Sequence, residues 1–125
     1  MSADEDMGML LLHLGVPLAV VVTPTDPGRY AWIGVYPLDV NRPGTVSVMR
    51  RLGVPVPTEP ASLYRVRHFE AAREPVDADR WLGPDDLIIL ADVIAVGDDE
   101  LPGILRRLGS SVGELRQHWK SNYPI

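Results

Sequence analysis

One segment, Leu87–Val96 (LIILADVIAV), constrains the fold more than any other, because nine of its ten residues are apolar. Such a segment is expected to be buried, since exposure would forfeit the free energy of apolar burial. Pro84 before it and Gly97 after it are typical of helix boundaries, whereas its five β-branched residues favour a strand. The segment is therefore a central strand or a buried helix. In either case, replacing Ile89 or Val93 by alanine is expected to cost about 1–4 kcal/mol.

The single interruption of this segment is Asp92. A buried carboxylate must be paired, hydrogen-bonded or protonated, because an isolated charge is costly to remove from water. An arginine partner is the usual solution. Asp92 is therefore interpreted first as half of a structural ion pair, with a functional carboxylate as the alternative.

Turn-forming residues divide the rest of the 125-residue chain into short elements. The patterns predict a helix over 5–14 ending at Gly15, a hairpin of strands 18–22 and 30–36, and a helix from an Asn41 cap to residue 52. They also predict an edge strand over 62–70, a helix over 101–108 capped by Asp98 or Asp99, and a last helix from Ser111 to about Lys120. The expected fold is a single α+β domain over residues 1–125, in the order αββαβ(β)αα. It has a mostly antiparallel sheet of about four strands with helices on one face.

Several kinds of chemistry are absent from the sequence. There is no cysteine, which excludes disulfides, thiol nucleophiles and thiolate metal sites and favours a cytoplasmic protein. Glycine-rich phosphate loops and a nucleophile elbow are also missing. The apolar run over 9–22 follows acidic residues and contains Gly15 and Pro17, so neither a secretory signal nor a membrane span is expected. We expect no cofactor and no metal site.

Polar side chains in the predicted strand over 62–70 and in Leu87–Val96 offer an alternative function. His68 and Glu70 are two residues apart and so lie on the same face of the predicted strand over 62–70. Asp92 lies within Leu87–Val96. If the fold brings these three together, they would form the site of a small enzyme or ligand-binding protein. Arg65 and Arg67 share the other strand face with an aromatic residue, but a net charge of −5 opposes nucleic-acid binding.

Charge is unevenly distributed along the chain. Residues 74–100 contain nine acids and one arginine, whereas residues 41–73 contain six arginines and two acids. The segments either neutralise each other inside the molecule or form an acidic surface for a basic protein partner. Small acidic proteins without catalytic motifs are common among the inhibitors of basic toxins, such as immunity and antitoxin proteins. The leading hypothesis is therefore a protein-binding module, with an interface formed by Asp77, Asp79, Trp81, Asp85, Asp86, Asp98, Asp99 and Glu100.

Overall fold

Antiparallel strand pairing organises the chain, which the computed structural model describes for residues 3–78, 80 and 82–117. In chain order the elements are α1 (Ala3–His13), β1 (Leu18–Val22), β2 (Arg29–Leu38), α2 (Pro43–Arg51), β3 (Leu63–Ala72), α3 (Arg73–Asp77), β4 (Ile88–Val96), α4 (Glu100–Arg107) and β5 (Arg116–Gln117). The strands lie in the order β4-β3-β2-β1-β5, and all neighbours are antiparallel. The predicted α+β class is confirmed, and the structure adds a fifth strand.

Glycines end the first two helices as the sequence predicts. Gly15 and Gly53 follow α1 and α2 with φ angles of 84° and 72°, a conformation that residues with a Cβ rarely adopt. Asn41, however, does not cap α2. The N-cap position belongs to Arg42, whose side chain makes no capping hydrogen bond, and Pro43 begins the helix.

The larger part of the core lies on one face of the sheet. α1 and α4 contribute Leu12, Leu101 and Leu105, which pack with Ile33 of β2 and Val66 of β3. All five side chains are at most 2% exposed. At roughly 1.5–3 kcal/mol for each fully buried side chain of this size, this layer makes a large contribution to stability.

The opposite face holds two smaller clusters. Near one end of the sheet, the rings of Trp32 and Phe69 stack with centroids 5.6 Å apart. Near the other end, Met49 of α2 packs with Leu63 and Ile94. α2 therefore lies on the face opposite α1 and α4, whereas the sequence pattern suggested helices on a single face.

The positions of β3 and β4 are the reverse of those expected. Each face of β3 carries both polar and apolar residues, and this pattern predicted an edge strand. In the structure, β3 pairs with β2 on one side and with β4 on the other. Its polar side chains are tolerated there because Arg65 and Glu70 have partners of opposite charge. β4, whose composition predicts a central strand, pairs with β3 alone among the strands of the described residues and is an edge strand there. The helix alternative for this segment is wrong.

The end of the chain also differs from the prediction. Ser111 and Glu114 have capping-box spacing, and their side chains are 3.4 Å apart, but only a single 3₁₀ turn, Val112–Glu114, forms. β5 follows and pairs with Leu18 and Ala19 of β1. The predicted last helix does not form over residues 112–117, and the remainder of that prediction, up to Lys120, lies outside the described residues.

Candidate functional site at the free edge of the sheet

The free edge of β4 is unusually apolar. Ile88, Ile89, Leu90 and Val93 are 39%, 43%, 42% and 39% exposed. Ile89 lies opposite Phe69 and Val93 lies opposite Val66, so the exposed aliphatic side chains of β4 are distributed over both faces of the sheet at this edge. Exposed apolar edge strands promote pairing with other chains, and soluble proteins usually protect them with charges, prolines or bulges.

Backbone groups of β4 also point away from the sheet. The Val96 amide donates to Glu100 Oε1 at 2.7 Å, so this N–H faces outward instead of toward β3. Alternation in an antiparallel ladder places the N–H groups of Ile94 and Asp92 on the same outward side. Glu100 therefore covers the end of the edge. A register shift between His68 and Phe69 leaves Leu90 without a partner in β3 and interrupts the ladder there. Between this bulge and Glu100, no strand of the described residues pairs with the outward N–H groups of Asp92 and Ile94.

Acidic residues lie at both ends of this strand. Asp85 and Asp86 occupy a 3₁₀ turn just before β4, and Asp99 and Glu100 follow its end. Nine extended residues span roughly 30 Å, so the two acidic groups are separated by about the length of β4. The arrangement is an apolar strand with an acidic group at each end.

Several of the predicted interface carboxylates already have hydrogen-bond partners. Asp77 accepts a bond from Tyr30 Oη at 2.6 Å, and Asp86 accepts one from the Gly83 amide at 2.8 Å. Asp85 and Asp99 are exposed, and Asp99 makes no side-chain capping bond to α4. Asp79 and Trp81 lie outside the described residues.

Asp92 forms the expected ion pair on the sheet face that carries α2. Its two carboxylate oxygens accept hydrogen bonds from Arg65 Nε and Nη2 at 2.8 and 2.6 Å. Arg67 Nε lies 3.7 Å from the same carboxylate, close enough for attraction but too far for a hydrogen bond. Two guanidinium groups thus compensate the one charge within β4.

The alternative site of His68, Glu70 and Asp92 is not assembled. His68 lies on the face that carries α1 and α4, while Asp92 lies on the other face, because strand residues alternate. Glu70 is fully buried and accepts hydrogen bonds from the Thr25 amide and hydroxyl at 2.6 and 2.8 Å and from Arg29 at 3.3 Å. Burial raises its pKa, but these bonds outweigh that effect and hold the pKa below its usual value. Glu70 therefore has a structural role.

A different polar cluster does assemble, and the sequence did not indicate it. Asp98 accepts a hydrogen bond from Tyr64 Oη at 2.5 Å, and its second oxygen lies 2.8 Å from His13 Nε2. Burial raises the pKa of Asp98, yet the bonds to Tyr64 and His13 prevail and keep it below the usual range. Burial and Asp98 together raise the pKa of Tyr64 to about 12. No spacing rule joins residues 13, 64 and 98, because three separate elements supply them.

Comparison of the chain with protein-family models, curated proteins and solved structures finds no match. Over residues 3–78, 80 and 82–117, no helix combines the length and apolar character needed to cross a membrane. The same residues contain no group of three or more histidine or carboxylate side chains arranged to hold a metal ion.

Proposed function

We propose that the protein is a protein-binding module that adds an extended segment of a basic partner to the free edge of β4. The supporting observation is that β4 has the composition of a buried central strand but lies half-exposed at an edge. Strand addition would cover its apolar side chains and pair its outward backbone groups, as in other complexes formed by β-augmentation.

Charge favours a basic partner over a second copy of this chain. In an antiparallel pair of two β4 strands, the acidic start of one, with Asp85 and Asp86, would face the acidic end of the other, with Asp99 and Glu100. Like charges meeting in this way oppose self-association. A partner strand with basic residues at both ends would instead be attracted at each end.

The same arrangement suits an inhibitor. An apolar centre that excludes water, surrounded by charges that steer association, is the common anatomy of specific interfaces. A basic toxin domain that presents such a strand would be covered by this edge, which corresponds to the role of an immunity or antitoxin-like protein. On this proposal Asp85, Asp86 and Asp99 steer the partner, while Ile89 and Leu90 contact it.

The test uses synthetic peptides of about ten residues, a typical strand length with flanks. One carries alternating valine and threonine with two lysines at each end, and the other has glutamates in place of the lysines. We expect the lysine peptide to bind in a fluorescence titration and to bind more weakly as salt rises. The glutamate peptide should bind about tenfold more weakly or worse, since like charges oppose docking.

A matched pair of variants locates the binding site. Leu90→Lys places a charge on the β4 edge, whereas Val21→Lys places one on β1, which is similarly exposed and is separated from β4 by β3 and β2. Leu90→Lys should abolish lysine-peptide binding, and Val21→Lys should leave it unchanged. Equal affinity for the two peptides, or full binding by Leu90→Lys, would refute the proposal.

A further inference from the structure

A groove of about 530 Å³ lies between β4 and α4. Its apolar lining comes from Val93 of β4 and Ile104 of α4. Val93 lies opposite Val66, a residue of the core beneath α4, so its side chain is on the α4 face of the sheet, where it is 39% exposed. The groove therefore contains an apolar surface that the described part of the chain leaves half-covered.

The groove opens on the free edge of β4. Glu100, the first residue of α4, accepts a hydrogen bond from the outward N–H of Val96, so the start of α4 overhangs this edge. Val93 and Ile94 both line the groove although their side chains lie on opposite faces, and the groove therefore reaches the backbone of the strand. An added strand that pairs with Asp92 and Ile94 would run beside it.

One residue of the added strand would face this groove. All neighbouring strands of the sheet are antiparallel, and residues directly opposite each other in such a pair project from the same face. The partner residue opposite Val93 would therefore project toward α4. Because the outward N–H groups are those of Asp92 and Ile94, the position opposite Val93 is a non-hydrogen-bonded pair, in which the Cα atoms are closest, about 4.5 Å apart.

Gly103 leaves room for a large side chain at this position. Glycine within a helix is destabilising relative to alanine, so a helical glycine usually has a conformational or packing reason. Neither reason applies to Gly103. Its φ angle is not positive, and a Cβ at this position would have no atom of the described residues within 4 Å beyond the adjoining helix backbone. The missing side chain instead widens the groove, which Gly103 lines.

The charges around the groove favour a neutral aromatic side chain. Asp99 and Glu100 line the groove and would repel a carboxylate, whereas Arg107 also lines it and would repel a cation. Arg107 is exposed, and its guanidinium makes no ion pair within the part of the chain that the structure describes. A guanidinium is attracted to the face of an aromatic ring, and aromatic residues that fill a pocket near the centre of an interface are common hot spots.

We infer that the groove binds one aromatic side chain of the added strand, at the position opposite Val93, and so selects among basic partners. The inference rests on the proposed function, because it concerns the same edge of β4. The ring contacts Val93 and Ile104, occupies the space beside Gly103 and presents its face to Arg107. The partner is thus an extended segment with basic ends and an aromatic residue at its centre.

Three peptides test this inference. Each has the alternating valine and threonine sequence with two lysines at each end, and the central residue is phenylalanine, cyclohexylalanine or alanine. Fluorescence anisotropy of the labelled peptides gives each Kd. We expect the phenylalanine peptide to bind at least about tenfold more tightly than the alanine peptide, because its ring is buried. It should bind about two- to fivefold more tightly than the cyclohexylalanine peptide, which has no aromatic face for Arg107.

The outcomes separate the groove from the edge. Equal affinity for the phenylalanine and alanine peptides would overturn the groove inference and leave strand addition standing. Equal affinity for the phenylalanine and cyclohexylalanine peptides would overturn the selection of an aromatic ring. If none of the three peptides binds, strand addition fails, and the groove inference fails with it.

Variants of α4 locate the ring. Gly103→Leu fills the groove and should weaken binding of the phenylalanine peptide about tenfold, to the affinity of the alanine peptide, which should itself be unchanged. Gly44→Leu is the matched control, because Gly44 is also an exposed helical glycine with no atom within 4 Å of a Cβ, and its helix α2 lies on the opposite face. It should change neither affinity.

Two results with these variants contradict the inference. One is a preference for the phenylalanine peptide that persists in Gly103→Leu, since the ring then lies elsewhere. The other is a lower melting temperature of Gly103→Leu than of the wild type, which would show that the fold itself requires this glycine. Arg107→Met should remove the preference for phenylalanine over cyclohexylalanine, and a preference that survives this change rules out the contact between the ring and Arg107.

Discussion

Arg65 and Asp92 form a bidentate hydrogen-bonded ion pair between β3 and β4, with N···O distances of 2.8 and 2.6 Å. Each side chain is only 18% exposed, so water screens the pair weakly. Parallel N–H···O bonds of this kind are the strong form of arginine–carboxylate contact. The pair allows a charged residue to lie within an otherwise apolar strand.

Removing the charge of Asp92 is therefore expected to destabilise the fold. Asp92→Asn should lower the free energy of unfolding by about 1.5–3 kcal/mol, because Arg65 and Arg67 lose their anionic partner. Asp26→Asn is the matched control: Asp26 Oδ1 accepts a hydrogen bond from the Gly28 amide in an exposed turn, and asparagine retains that acceptor. Urea denaturation of both variants measures the difference. Equal stability of the two would show that the ion pair contributes little.

Truncation of the two isoleucines at positions 89 and 94 of β4 should destabilise the protein to different extents. Ile94 is 7% exposed and packs with Met49, so Ile94→Ala should cost about 2–4 kcal/mol through lost burial and a cavity. Ile89 is 43% exposed, and Ile89→Ala should cost less than about 1 kcal/mol. The larger cost predicted for Ile89 and Val93 from the sequence assumed a buried strand. A cost at Ile89 equal to that at Ile94 would place β4 inside the protein.

Acidification should destabilise the protein in two steps. Burial lowers the pKa of His68, so the unfolded chain, in which histidine titrates at about pH 6.5, binds a proton first and stability falls below that pH. The pKa values of Glu70 and Asp98 are also lowered, and their contribution is lost below about pH 4, again because the unfolded chain is protonated first.

The free energy of unfolding, measured by urea denaturation between about pH 8 and pH 2.5, reports both steps. His68→Gln should remove the dependence between about pH 7 and pH 5 while leaving the lower step, since glutamine does not titrate. A wild-type stability that stays constant or rises over that range would contradict the lowered pKa of His68.

Local sequence patterns were sufficient to predict the positions of most helices and strands. β1 is Leu18–Val22 as predicted, and the helices ending at Gly15 and Gly53 stop where the glycines require. An arginine partner for Asp92 follows from the cost of burying a lone carboxylate, although the sequence cannot show which arginine provides it. Such features depend on neighbouring residues or on a single physical requirement.

The predictions that were wrong, and the site that was not predicted, concern features that depend on the tertiary arrangement. Composition placed β4 in the centre and β3 at the edge, because a single sequence does not distinguish an apolar strand in the centre of a sheet from one at its edge. The Asp98 cluster joins residues from α1, β3 and the turn before α4, so it has no signature in any one segment. The two ends of the acidic segment are kept apart by β4, which the net charge of the segment could not reveal.

Amide hydrogen exchange along β4, with and without the lysine-flanked peptide, tests the central claim most directly. The amides of Ile94 and Asp92 point outward and should slow roughly tenfold or more when the peptide pairs with them, whereas those of Val93 and Ala95 already face β3 and should change little. This alternating response is the result that strand addition predicts. If the peptide binds and the Ile94 and Asp92 amides exchange as fast as before, binding occurs elsewhere and the account is wrong.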